Sequence, residues 1–529
     1  MSGVASIEDA KKRKPTGGRV VVKVSTDEHA VTNQAVAALA RNADVYQRSG
    51  SLVHVVLDSR SKSTVSRPPG TPQIAQIQPA RLRELLAEQI DFQRWNERKE
   101  EWASTHVPVW VVGEVGARQQ WSEIRHLEAV SATPMLRPDG SVIDRPGLDD
   151  ATGVLFMPRR QFPKVPERPT REDAEAAVVV LCDIFSDFPF AAPEHRSGAL
   201  AGLLTPLARH AFAGPSPLIL IDKNTHGAGG SLLADTIATA ATGRGIARMS
   251  QAKDDDEERK RILSIALAGD AMVLIDNIDR PLGGAAIDSA LTGTEWRDRI
   301  LGRSEMATAP LLACWFATGN NVAVQRDTLR RTLPIRLETP EERPEERQGF
   351  KYNPLLPHVE REHPRLVVAG LTLLRAYAVA GKPNTQIKPW GSFEGWSDLV
   401  RGALVWVGQA DPALARQQLV AGGDSEAAAL RVLLENWQRI DPSNSGVTAA
   451  RMLEAVMGSE TSERDEVADA LRDAVNEISP PGAGGKPTSA KSLGRRLTHL
   501  KGRVVGGSAL DCRPGQFGQT WLKRKVSNV

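Results

Sequence analysis

Pro217-Leu218-Ile219-Leu220-Ile221-Asp222-Lys223-Asn224-Thr225-His226-Gly227-Ala228-Gly229-Gly230-Ser231-Leu232-Leu233-Ala234-Asp235-Thr236 is the stretch on which the reading of this 529-residue chain turns. It opens as an apolar strand, passes through a glycine-rich turn and enters a helix. That is the layout of a phosphate-binding loop, whose pattern is G-x-x-x-x-G-K-[ST]. Laid on it, Gly229 and Ser231 fit, Asn224 stands where the first glycine belongs, and Gly230 stands where the lysine belongs. Glycine backbone amides and a helix N-terminus together make an anion nest, and Ser231 is placed to ligate Mg²⁺. The candidate nucleotide-binding residues are Lys223, Asn224, Thr225, His226, Gly227, Ala228, Gly229, Gly230, Ser231 and Leu232. Alone, such a turn is equally a tight turn before a helix, so the strands that follow decide the matter.

Two more apolar runs end in polar residues. Ala271-Met272-Val273-Leu274-Ile275 ends in Asp276, where a carboxylate can hold Mg²⁺ or its water. Leu311 to Ala317 ends in Thr318-Gly319-Asn320-Asn321, where Asn320 can orient a water or sense a γ-phosphate. Fully apolar strands alternating with helices predict a parallel α/β sheet, and ligands of such sheets gather at the carboxyl ends of the strands. Further on, Arg330-Arg331 suits an arginine finger toward a neighbouring subunit, or a surface ion pair with Glu341-Glu342. Between the two strands, Trp296, Arg297, Arg299 and Arg303 suit nucleic-acid contact, or a buried tryptophan among solvated arginines.

Asp276-Asn277, Trp296 to Gly302, Ala317 to Asn321 and Asp327 to Arg331 together resemble the ATPase core of superfamily 3 helicases, in particular the helicase half of poxvirus-like primase–helicases of phages, plasmids and integrated elements. Asp44 to Val53 and Pro134 to Asp150 resemble the domain that precedes that core, so the resemblance spans roughly Val20 to Pro412. It implies an AAA+ P-loop fold, ATP and Mg²⁺ as cofactors, and an oligomeric ring, usually a hexamer, that threads DNA. Asp276, Asn277, Asn320, Arg330 and Arg331 would be its catalytic residues, Ser231 and Asp276 its metal ligands, and Trp296 to Arg303 its pore contacts. A primase domain has no counterpart ahead of Val20, so a separate primase is an expected partner. The sequence departs from this pattern at Gly230. Lys223, seven positions earlier, or His226 could supply the missing charge, and Asn277 stands where a general-base glutamate is usual.

Composition narrows the class. Hydrophobic content of 41% and charged content of 25% are those of a globular protein, and the length allows several domains. No apolar run reaches the ~18 residues of a membrane span, and no signal peptide opens the chain. Cys182, Cys314 and Cys512 are scattered, which fits a reducing cytoplasm and no disulfide framework. The sequence divides into a basic tail (1–18), an N-terminal α/β domain (19–165), a helical collar (170–212), the P-loop core (213–345), a helical region (346–440) and a C-terminal module (441–529). In that module the order helix, helix, helix, β-hairpin predicts a winged helix. From Lys486 onward its ten Lys and Arg face one acid, Asp511. Arg495, Arg496, His499 and Lys501 are its candidate phosphate contacts. Arg81 to Ser104 is expected to be helical.

Overall fold

The computed structural model describes residues 18–57, 64–299, 306–341, 343–423, 425–458, 465–481, 487–515 and 518–526. They form two units, one ending at Gln417 and the other beginning at Gln418.

The first unit is built on β1 (Leu218–Lys223), β2 (Ala247–Ser250), β3 (Met272–Ile278), β4 (Cys314–Asn320) and β5 (Thr332–Leu337). These make a five-stranded, all-parallel sheet in the order β2-β3-β4-β1-β5. Side chains alternate across a strand, so a strand covered on both faces is apolar throughout. In β1, Ile219 and Ile221 join one core with Leu233 and Ile237 of α1 (Gly230–Thr242). Leu218 and Leu220 join the other with Ile262 and Ile265 of α2 (Asp255–Ala268). β1 lies inside the sheet, yet α1 carries the chain to the far edge strand β2. The strand order therefore reverses beside β1, and the loops after β1, β3 and β4 open at one edge. β5 contains Pro334, which lacks the N–H a central strand needs; it lies at the sheet's edge, where this is tolerated.

Between β3 and β4 the strands Glu295–Arg299 and Met306–Pro310 form an antiparallel hairpin. Trp296 points into the α2-side core, while Arg297 and Arg299 are exposed. The expected stacking surface at Trp296 is thus a core contact, because alternation along the strand sends it and its flanking arginines to opposite sides. Arg303 lies outside the described residues.

The N-terminal region holds a three-stranded sheet of Val20–Lys23, Ile90–Asn96 and Glu101–Ser104. The helix expected over Arg81 to Ser104 spans only Pro79–Gln89; the rest is this strand pair. The alternation of buried Ile90 and Phe92 with half-buried Asp91 and Gln93 is the period of a strand, and it overrides the helix-forming residues before it. An antiparallel sheet of Tyr46–Arg48, Ser51–Leu57 and Pro72–Gln76 follows. Its Arg48 donates to the carbonyls of Ala266 and Leu267 at the end of α2 (3.0 and 3.2 Å), and Arg67 pairs with Asp270.

In the second unit, helices Ala449–Met457, Glu466–Ile478 and Ala490–Leu500 precede a hairpin of Ser508–Gly515 and Gly518–Lys525. Leu493, Leu497 and Leu500 anchor the third helix in the unit's core, leaving Arg495, Arg496 and His499 on its exposed face. Lys501 follows it and pairs with Asp511 at 3.4 Å. Among the described residues no helix is long and apolar enough to cross a membrane.

Candidate functional site

The glycine-rich loop leaves the carboxyl end of β1 and ends at the first turn of α1. Gly227 and Gly229 have φ of +80° and +86°, a conformation open to glycine and strained for other residues. Asn224, in place of the pattern's first glycine, ties the loop to the chain beyond β5. Its amide donates to the Thr339 carbonyl (2.8 Å) and its side-chain oxygen accepts from the Thr339 N–H (3.3 Å). Asp222 pairs with Arg336 and accepts from the Val322 N–H at 2.9 Å, fixing β1 to the loop after β4. Thr225 is half-buried, Ala228 is buried, and Leu232 is exposed on α1.

The space above Gly230 is filled by Lys223. A β-carbon placed on Gly230 would stand 2.7 Å from Lys223 Cδ, closer than carbons approach, and 3.2 Å from its Cε, a tight contact. Lys223 shares the α1-facing side of β1 with Ile219 and Ile221, so strand alternation alone aims it at the start of α1. The stem runs over the position whose side chain is absent. Burial lowers the Lys223 pKa, and the carboxylates of Asp276 and Asp222 oppose that shift. Among the described residues no carboxylate lies within ion-pair distance of its ammonium.

Asp276, at the end of β3, is the centre of the polar cluster. One oxygen accepts from Ser231 Oγ (3.0 Å) and Thr318 Oγ1 (2.6 Å), and the other from Arg248 Nη1 (2.8 Å). Burial would raise this carboxyl's pKa, but the hydroxyls and the guanidinium outweigh it and hold it below the ordinary value. Arg248 also pairs with Asp235, one turn beyond Ser231 on α1. Asn277 is exposed, with φ of +57°, and its N–H donates to Thr318 Oγ1 at 3.1 Å.

On β4, Asn320 pairs in register with Lys223. Its amide nitrogen lies 2.9 Å from His226 Nδ1, and its carbonyl oxygen is buried with no hydrogen-bond partner among the described residues. A buried acceptor of this kind is costly unless something donates to it. Past the sheet, the two arginines have different settings. Arg331 bonds Asp288 at 3.3 Å and the Asp327 carbonyl at 2.7 Å. Arg330, paired with Asp327, keeps its side chain 67% exposed, while its carbonyl is fixed by Trp390 Nε1 and Arg416 Nε.

The fold thus brings Lys223, Gly227 to Ser231, Asp276 and Asn320 to one edge. The hairpin arginines and Arg330 stand on other segments of the same unit, and Arg495 to Lys501 belong to the second unit. Sequence reasoning missed Arg248, Asp235 and Thr318. Thr318 stood inside the quoted Thr-Gly-Asn-Asn run. Arg248 lies in a strand too short to show a pattern, bracketed by the apolar Ala247 and Met249.

Neither a family model nor a curated protein matches the chain. Among solved structures, the chain is similar to the A form apo structure of the NrS-1 C-terminal region (10% identity, 91% of this chain and 96% of that one, TM-score 0.37). It is also similar to the SCCmec type IV Cch active helicase (10% identity, 92% and 98%, TM-score 0.33). A third is the X-ray structure of JCV helicase (14% identity, 45% and 67%, TM-score 0.21).

Proposed function

We propose that this chain is an ATP-driven DNA helicase or translocase of superfamily 3 type, acting as an oligomeric ring in the replication of a phage, plasmid or integrated element. The observation that carries the reading is the Lys223 stem lying over Gly230. A chain that lost its loop lysine by decay has no reason to keep another amine threaded across the vacated position. In this reading Lys223 supplies the ammonium that the loop lacks, and the amides from Gly227 to Ser231 bind phosphate oxygens. Asn320, with its unanswered carbonyl oxygen, orients water or senses the terminal phosphate. Arg330 reaches a neighbouring subunit's nucleotide. Ser231 and Asp276 would hold Mg²⁺, which when bound neutralises phosphate charge. Arg297 and Arg299 contact DNA from the hairpin; Arg495, Arg496, His499 and Lys501 contact it from a winged helix. A hexamer and a separate primase complete the proposal.

A second reading is a ring that binds DNA without hydrolysing ATP. It is favoured by the guanidinium of Arg248 already resting on Asp276 and by Asn277 standing where a base would be. DNA-stimulated ATP turnover by the purified chain, beside Asp276→Ala and Lys223→Ala, separates the two. Turnover lost in both variants supports the first reading; wild-type protein that binds DNA and releases no phosphate with Mg²⁺ present supports the second.

A further inference from the structure

The N-terminal three-stranded sheet has one face on helices and one in solvent. Val22, Ile90 and Phe92 point into the helix-packed core. Alternation and register place Val21, Lys23, Asp91, Gln93, Trp95, Trp102 and Ser104 on the opposite face. Trp95 is 46% exposed and is the only exposed member of the chain's eleven tryptophans, all of which lie among the described residues. Trp102 meets it edge to face with ring centroids 5.7 Å apart, and the Lys23 ammonium stands 4.8 Å over the Trp102 ring. Asp91 is the one carboxylate of this face, and the Gln93 amide donates to it at 2.8 Å. Arg19 is exposed just ahead of the sheet, and in sequence Lys11-Lys12-Arg13-Lys14 leads into it.

We infer that this face is a stacking platform for single-stranded nucleic acid, separate from the ATP site and from the two DNA-contacting surfaces proposed above. A tryptophan left in water offers a π-face that any base can cover, and a neighbouring cation suits the phosphate between two bases. Val21 is the only aliphatic side chain of this face, so the two rings stand among an ammonium, an amide and a hydroxyl rather than within a contiguous apolar patch. Trp95 takes a base on its open face, Lys23 and Arg19 take phosphates, and Gln93 and Ser104 reach base or sugar edges. Stacking of this kind is indifferent to sequence.

The test uses the full chain without added nucleotide and an oligothymidine of about twelve nucleotides carrying 5-iodouracil, a length within the usual span of such sites. After long-wavelength irradiation, adducts are mapped by mass spectrometry. The expected adduct is on the peptide containing Trp95 and Trp102. Trp95→Ala removes it and weakens binding roughly tenfold, in line with the loss of one stacked base. Trp95→Phe keeps both. Adducts confined to the hairpin or the C-terminal module overturn the platform while leaving nucleic-acid binding intact. Unchanged oligonucleotide affinity in Trp95→Ala with a fall in assembly mass by ultracentrifugation also overturns it, and assigns the face to contact between copies.

Discussion

Arg67 and Asp270 meet at 2.5 Å at the amino edge of the central sheet, with side chains 3% and 2% exposed. Arg248 and Asp276 meet at 2.8 Å toward its carboxyl edge, with side chains 34% and 26% exposed. The first pair is a strut. It joins the loop before Pro72–Gln76 to the start of β3, beside Arg48 on the end of α2 and Arg209 donating to the Leu312 carbonyl. A cleft there is lined by Arg48, Glu128, Arg209 and His210 and lies away from the glycine-rich loop. The second pair keeps its carboxylate within reach of solvent and of two hydroxyls. The same chemistry is therefore sealed into the fold at one edge and left open within the candidate site at the other, and burial makes the difference.

Substitutions can break this contrast. The largest effect is expected from Arg330→Ala, which should lower DNA-stimulated ATP turnover by roughly 10³-fold, the worth of an arginine finger. Thermal unfolding should change little, since the Arg330 side chain makes only an exposed ion pair with Asp327 and the packing contacts use its carbonyl. Asp270→Ala should do the reverse, costing about 3–5 kcal/mol in denaturant unfolding, the range for removing one partner of a buried ion pair. Nucleotide affinity per folded molecule should be retained. Lys223→Ala should cut turnover by about 10²-fold, comparable to the loss of one transition-state donor. Gly230→Lys should displace the flexible Lys223 stem from above the start of α1, and Lys223→Ala with Gly230→Lys should recover activity relative to Lys223→Ala alone.

A smaller effect concerns Glu258 on α2. Burial pushes its carboxyl up to about 7, with Arg261 opposing the shift, and one of its oxygens has no partner. The folded state then holds a proton that the unfolded state releases near pH 4.5, so stability falls as pH rises from about 4.5 to about 7. Glu258→Gln should remove a penalty of up to about 3 kcal/mol above pH 7 and change little at pH 4, read as melting temperature against pH. The smallest expected effect is at Glu345, whose carboxylate lies against Gly227. Glu345→Gln should tighten nucleotide binding a few-fold at low salt and less at high salt, because screening weakens its repulsion of phosphate.

Much of the carboxyl edge was legible because its signals are local. An apolar run ending in Asp276 or Asn320 declares both the strand and the exit of its side chain. β2 and β5 were not legible as strands. One is four residues long, and the other contains Pro334, which argues against a strand unless its edge position is known. The strand pair after Gln89 was hidden behind a strong helix pattern. The partnership of Arg248 with Asp235 and Asp276 joins residues from three segments that only the strand order brings together. Trp296 could be read either way, because composition does not say which side of a hairpin faces the core.

The position of Lys223 also bears on how such chains are recognised. An amine carried on a strand is located by ladder hydrogen bonds to its neighbours, and its register partner is Asn320. An amine carried on a loop is located by the loop's own conformation. A search along the sequence for glycine, four residues, glycine, lysine would discard this chain as inert. A search in space for an amine above the first turn of the helix would retain it. On the reading proposed above, what counts is where the amine stands, and two different places in the polypeptide can furnish it.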